Sequence, residues 1–319
     1  MLRPKPNIER LAPATHGGID YAELGRTGVS AEKILDFSVS TNPFGPPPGV
    51  TEAICQASID RYPDSESTEL RQALAQKFHI NADNVIIGSG STELIRLSVN
   101  AYLGAGDVAI VPPPTYSDYE VACRLVDADV RQPPLLTEPG LRLNISDMVE
   151  IIRTHKPKGV FLCNPNNPTG QYLSRSEIAA VLAVAQETLV VLDEAYVAFT
   201  ENRWSAVDVI NGGNVIILRS MTKDYALAGL RLGYAIAAES TIAVLKRVRP
   251  PWNVSSVAQA AGMAALKAEG YVEACTAKIK QSKEFLVQEL TRLGCFPLPS
   301  EANFFLVKVK DAGGLRQAL

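Results

Sequence analysis

Cysteine is scarce and scattered in this chain. Its five residues (Cys55, Cys123, Cys163, Cys275, Cys295) are odd in number, far apart and without a Cys-x-x-Cys pair. That pattern excludes a disulfide framework and a zinc site and fits reduced thiols. Histidine is scarcer still, and His16, His79 and His155 are too widely separated to suggest a metal cluster, so no metal is expected. No run of eighteen apolar residues appears, so no membrane-spanning helix is expected. The opening Met-Leu-Arg-Pro-Lys-Pro-Asn-Ile-Glu-Arg lacks the apolar core of a signal peptide. Nor is there a basic excess: 31 Lys and Arg against 34 Asp and Glu leave a net charge of −3. A nucleic-acid partner, whose phosphates call for a basic face, is therefore not expected. Repeats and low-complexity tracts are absent as well. The expectation is a cytoplasmic protein with neither membrane nor nucleic-acid partners.

What is present is enough apolar residue for a full core: 46% of 319 residues, a length that suggests about two domains. After the proline-rich Thr41–Gly49, which blocks helix and central strand, helical and strand-like runs alternate. The pattern predicts helices over Glu66–Phe78, Thr92–Leu103 and Ser174–Gln186. It predicts strands over Asn84–Ile87, Val108–Val111, Gly159–Cys163, Leu189–Leu192 and Val215–Leu218. Short apolar strands separated by helices indicate an α/β fold with a mostly parallel sheet covered on both faces. From about Thr241 long amphipathic helices take over, with one late strand at Asn303–Val307. The expected division is an N-terminal arm with part of a small domain (1–48), a large domain (49–245) and a small C-terminal α/β domain (246–319).

Four segments fall at predicted strand ends, where open α/β sheets bind ligands. In Ser220-Met-Thr-Lys-Asp-Tyr-Ala-Leu-Ala-Gly-Leu-Arg231, Lys223 stands close after Ser220 and Thr222, with Arg231 beyond. A lysine that forms a Schiff base with an aldehyde cofactor needs such a setting, since the cofactor's phosphate requires hydroxyls and a cation nearby. In Gly88-Ser-Gly-Ser-Thr-Glu-Leu94 a glycine turn enters a helix; Ser91, Thr92 and free N–H groups suit a phosphate, and the same residues read equally as an ordinary helix cap. Asn164-Pro-Asn-Asn-Pro-Thr-Gly170 is a rigid loop from which Asn167 could offer an amide to a phenolic oxygen. In Val190-Val-Leu-Asp-Glu-Ala-Tyr196, Asp193 follows three apolar residues and needs a partner, which a protonated pyridine nitrogen would supply.

In their order and joint presence these motifs resemble the pyridoxal-phosphate enzymes of the class I/II aminotransferase family, with the aspartate aminotransferase fold. The resemblance covers nearly the whole chain and implies pyridoxal 5'-phosphate as cofactor. It implies that Lys223 forms the Schiff base and moves the proton, Asp193 pairs with the pyridinium, and Asn167 and Tyr196 bond the ring's phenolic oxygen. Tyr116 would stack on the ring; Ser91, Thr92, Ser220, Thr222 and Arg231 would hold the phosphate. Tyr62, in Arg61-Tyr-Pro-Asp64, matches the residue these enzymes lend to the neighbouring subunit, which implies a homodimer with shared sites.

The N-terminal third points further. Thr15-His-Gly-Gly18, Ile34-Leu-Asp-Phe-Ser-Val-Ser-Thr-Asn-Pro-Phe-Gly-Pro-Pro47 and Pro251-Trp-Asn-Val-Ser255 look like threonine-phosphate decarboxylases of cobalamin biosynthesis, although Ile19 stands where those commonly have Asn. His16 and Asn42 are then the candidate substrate contacts. The expected reaction is decarboxylation of O-phospho-L-threonine to (R)-1-aminopropan-2-yl phosphate, making the protein a lyase. The first alternative is a histidinol-phosphate-type aminotransferase, which shares the Lys223, Asn167 and Asp193 segments. Which reaction follows depends on whether the substrate's carboxylate or its Cα–H is held perpendicular to the ring plane. Family members continue into a strand pair carrying an arginine that clamps the substrate carboxylate; no arginine follows Arg316 in the predicted helix Gly314–Leu319. The small domain is thus expected to be truncated, and a cofactor-binding but catalytically silent chain is the second alternative.

Overall fold

The computed structural model describes residues 2–14, 16–133 and 141–318. Thr15 of the His-Gly-Gly opening and Leu319 lie outside the described residues. Seven strands form the main sheet: β1 (Val85–Gly88), β2 (Val108–Ile110), β3 (Asp129–Arg131), β4 (Gly159–Cys163), β5 (Leu189–Asp193), β6 (Val215–Ser220) and β7 (Gly233–Ala237). Their spatial order is β1-β7-β6-β5-β4-β2-β3. From β3 to β6 all pairs are parallel, while β7 runs antiparallel to both β6 and β1.

Every residue of β1, β4, β5 and β7 is buried, as continuous apolar runs in a doubly covered sheet should be. Successive side chains feed opposite layers. Val190, Leu192, Val215 and Ile217 join one cluster with Leu70 and Leu74 of the helix Thr68–Phe78 and Ile178 of Arg175–Val184. Val191, Ile216 and Leu218 join the other with Leu94 and Ile95 of Ser91–Tyr102 and Leu245 of Glu239–Val248. At about 1.5–3 kcal/mol for each large apolar side chain, this alternation holds the register, since a one-residue slip would turn both sets to the wrong faces.

The five predicted strands are present, within two residues at each end. Two others were not expected. β3 is a short edge strand whose Asp129 and Arg131 are exposed, so it carries no apolar signal. β7, Gly-Tyr-Ala-Ile-Ala, is rich in small residues and follows directly on the lysine stretch. The late strand is shorter than expected: only Val307–Lys308 (β9) pairs, with Phe296–Pro297 (β8). Upstream, Asn303 spends its amide on the Ser40 carbonyl at 3.0 Å, and the Phe304 carbonyl accepts from Ser300 Oγ.

Ser256–Lys267 contributes Ala258, Ala261 and Ala265 to the same core as the large sheet. The helix Tyr271–Arg292 adds Val272 to that core at its start, while Ile279 further along packs with Tyr196, Phe199, Ala302 and Phe304 in a smaller cluster. Among the described residues no helix is long and apolar enough to cross a membrane.

Candidate active site

Parallel pairing delivers the carboxyl ends of β4, β5 and β6 to one edge of the sheet. β1 runs with them, so Gly88 ends there too. The antiparallel β7 has the complementary effect: its first residue, Gly233, pairs with both Gly88 and Ser220. Arg231, just before it, therefore enters the same edge. A cavity of about 1130 Å³ opens there.

At one end of the cavity the helix Ser91–Tyr102 begins at Gly90, which makes no side-chain cap bond. Its first-turn N–H groups and dipole suit an anion. Gly90 has φ +82°, and a Cβ there would stand 2.8 Å from Arg231 Nη2. Gly233 is equally tight: a Cβ would lie 2.9 Å from the Arg219 carbonyl and 3.0 Å from the Ser91 nitrogen. Ser220 Oγ and Thr222 Oγ1 share a hydrogen bond of 2.7 Å. With Ser91 and Thr92 these groups line the cavity and form a cradle of N–H, hydroxyl and guanidinium donors.

At the other end Asp193, only 3% exposed, closes β5. Its Oδ1 accepts from the Ala195 N–H at 2.9 Å and its Oδ2 from Tyr119 Oη at 2.8 Å. Burial raises its pKa; the Tyr119 and Ala195 bonds and the nearby Lys223 charge work against that rise. Tyr119 was not anticipated from sequence. It stacks on Phe161 at 5.6 Å and meets Tyr116 edge-on at 5.5 Å; its place three residues after Tyr116 is the signal that could have found it.

Between the two ends stands Lys223, its Nζ 5.5 Å from the centroid of the Tyr196 ring. Burial lowers the amine's pKa, and the charge of Arg231 lowers it further, against a weaker opposing pull from Asp193. Such a lysine is neutral, and nucleophilic, at lower pH than a solvated one. Tyr196 packs edge-on against Phe304 at 4.8 Å, and burial pushes its phenol upward. Tyr116 is 3.2 Å from Thr92 Oγ1, and its phenol too is raised, chiefly by burial.

The Asn-rich loop divides its labour. Asn164 accepts from the Leu173 N–H at 2.6 Å, and Asn166 bonds the Pro114 carbonyl, Thr115 and Thr169. Both are spent on holding the loop, leaving Asn167 to line the cavity.

His16 also reaches the cavity from the N-terminal arm. Its ring is 5.7 Å from that of Tyr116. Its Nε2 lies 3.3 Å from Oδ2 of the buried Asp118, without hydrogen-bond geometry. Glu93, Arg96 and Ser38–Thr41 line the wall as well, none of them anticipated. Glu93 and Arg96 share a helix face at i, i+3 spacing with the start of the cradle helix, which is the only signal they carry.

Two expected site residues stand apart. Asn42 is buried behind the wall, with its side chain bonded to the Asp224 carbonyl and the Phe44 N–H; its polar atoms are taken, so the structure does not place it as a substrate contact. Tyr62 is 74% exposed and stacked on Trp252 at 4.3 Å, away from this chain's cavity.

Pyridoxal phosphate asks for an anion cradle, a buried carboxylate for its ring nitrogen and an amine for its aldehyde. This cavity has all three, and the close approach of Gly90 to Arg231 and of Gly233 to neighbouring main chain marks how closely the cradle is drawn. The residues fit the group.

A family model for aminotransferase class I and II matches residues 32–318. Histidinol-phosphate aminotransferase 2 of Carboxydothermus hydrogenoformans is 36% identical over 300 residues, covering 92% of this chain and 80% of the relative. The structure of histidinol-phosphate aminotransferase from Sinorhizobium meliloti, in complex with pyridoxal-5'-phosphate, superposes with a TM-score of 0.87 at 27% identity, covering 100% of this chain and 85% of that one. L-threonine-O-3-phosphate decarboxylase from Porphyromonas gingivalis superposes at 0.76 with 25% identity, covering 88% and 89%. The chain belongs to the class I and II aminotransferase family, and its cofactor is pyridoxal phosphate. Of the reactions expected from sequence, the comparisons favour amino transfer over decarboxylation.

Proposed function

We propose that this protein is an aminotransferase of the histidinol-phosphate type, moving an amino group between a phosphorylated amino substrate and an oxo acid. The observation that carries the reading is the similarity to a histidinol-phosphate aminotransferase along 92% of the chain. The cofactor supplies, when bound, an electron sink for charge developing at the substrate's Cα. Arg231, Ser220, Thr222, Ser91 and Thr92 would grip its phosphate, and Asp193 would hold positive charge at the ring nitrogen. Asn167 and Tyr196 would orient the phenolic oxygen, and Tyr116 the ring face. Lys223 Nζ, whose pKa is lowered by burial and by the Arg231 charge, would take the proton from the substrate's Cα and return it during transfer. His16 offers a ring nitrogen and Arg96 a guanidinium at the wall for the substrate's own anionic group.

The test supplies L-histidinol phosphate and 2-oxoglutarate to the cofactor-loaded protein and measures glutamate. A parallel reaction supplies carboxyl-labelled O-phospho-L-threonine without oxo acid and measures CO₂. Glutamate formation dependent on histidinol phosphate is the expected result. CO₂ release without oxo acid would overturn it in favour of the lyase, and retention of cofactor with neither product would point to a silent binder.

A further inference from the structure

The backbone that carries Lys223 is held by a residue from the far end of the sequence. The Asn42 N–H donates to the Lys223 carbonyl at 2.8 Å, and Asn42 Nδ2 donates to the next carbonyl, Asp224, at 3.0 Å. Its Oδ1 accepts from the Phe44 N–H at 3.1 Å. Asn42 itself is 3% exposed, so water has little access to its side of these bonds, and losing them leaves buried polar groups without partners. The Lys223 side chain, by contrast, is placed over the Tyr196 ring with no hydrogen bond to a polar group among the described residues. An amine without a polar anchor takes its position from its own main chain. That main chain lies beyond the end of β6, where the sheet no longer supplies partners.

We propose that Asn42 is a positioning residue for Lys223, fixing two successive carbonyls of the lysine turn and tying that turn to the cavity wall formed by Ser38–Thr41. The wall is secured on its other side by the C-terminal region. Asn303 Nδ2 donates to the Ser40 carbonyl at 3.0 Å, and Tyr271 Oη to the Gly45 carbonyl at 2.7 Å. Pro43, with its fixed φ, stiffens the step between the two attachments. A group that presses on the Ser38–Thr41 wall therefore presses on the lysine turn. The neighbours that face the amine are Asp193, Arg231 and the Tyr196 ring. Only a fixed turn keeps it buried against the ring and within reach of the Arg231 charge. Releasing the turn lets the amine reach water and return toward ordinary lysine behaviour.

The proposal rests on Lys223 being the lysine that holds the cofactor, and the experiment separates the two. Borohydride reduction of the cofactor-loaded wild type, followed by peptide mass spectrometry, identifies the attached lysine. The full-length protein freed of cofactor is then treated with limiting acetic anhydride across a pH series, and acylation of Lys223 is read against exposed Lys267. In the wild type the Lys223 midpoint should lie below the ordinary lysine value of 10.5. Asn42→Ala should move it upward, with a fall in Lys223 acylation at pH 8 on the order of tenfold for each pH unit moved. Asn42→Leu keeps the side chain's approximate size and adds no charge but loses the donor to Asp224, and serves if the alanine variant does not fold; it too should move the midpoint upward. Variants that melt earlier yet leave the Lys223 midpoint in place would give Asn42 a merely structural role and overturn the proposal alone. Attachment of the cofactor to another lysine would overturn both the proposal and the site on which it stands.

Discussion

Two carboxylates near Lys223 answer to different surroundings, and each yields a prediction. Among the described residues Asp193 has one side-chain donor, Tyr119 Oη, and the Tyr119 bond opposes the rise in its pKa that burial causes. Tyr119→Phe removes that donor with little change of shape. The fold should lose about 1–3 kcal/mol, the cost of an under-satisfied buried acceptor. Asp193 should then take up a proton at higher pH, so that affinity for pyridoxal phosphate is lost at a higher pH than in wild type; cofactor titrations across pH measure this. Asp224 is pushed up to about 7 by burial, against the charges of Lys77 and Arg219. Between the ordinary aspartate value of 3.8 and about 7, the folded state keeps a proton that the unfolded chain has lost. Stability from this group is therefore full below 3.8 and declines as pH rises through about 7. Asp224→Asn should melt with wild type near pH 4 and above it from pH 7 upward. A melting-temperature gap that does not widen with pH would contradict the assignment.

At the scale of elements, the cradle depends on one strand and one turn. β7 runs against its neighbours and so brings Arg231 to the edge where β1 and β6 end. The turn at Gly90 has to pass close under Arg231 with positive φ. Gly90→Ala would impose backbone strain of about 1–3 kcal/mol. Its Cβ meets the free end of a flexible side chain, so Arg231 would yield, and the cradle would open. The expected outcome is a modest fall in melting temperature of the cofactor-free protein with a much larger loss of cofactor affinity. Equal losses in both would mean that Arg231 does not face the phosphate. This element level is also where the sequence was only partly readable. Runs such as Val-Val-Leu before Asp193 announced their strands. Gly-Tyr-Ala-Ile-Ala did not, because its role comes from fitting between two strands rather than from its own apolar strength.

For the molecule as a whole, the arrangement of Tyr62 matters most. It stands exposed beside Trp252, outside its own cavity, and it is the residue whose expected role lies in a second copy of the chain. If two chains share sites, Lys223→Ala and Tyr62→Ala subunits should each be impaired alone. Dissociated and reassociated together, they should recover about a quarter of wild-type activity, because half of the dimers then carry one intact site. No recovery on mixing would show that Tyr62 serves no neighbouring site.

The sequence by itself determined the α/β class, the family and the cofactor, because Lys223, Asp193, Asn167 and Arg231 each sit in a local motif whose chemistry is carried by a few adjacent residues. It also marked Asn42, yet assigned it to the substrate, when its polar atoms are all spent on backbone. Tertiary structure alone suggests the positioning role proposed for it. It likewise decided the bond from Tyr119 to Asp193, the entry of Arg231 through β7 and the joining of the N-terminal wall to the lysine turn. These are contacts between residues far apart along the chain, and they come from packing and from the need of buried polar groups for partners. Periodicity and local motifs contain neither.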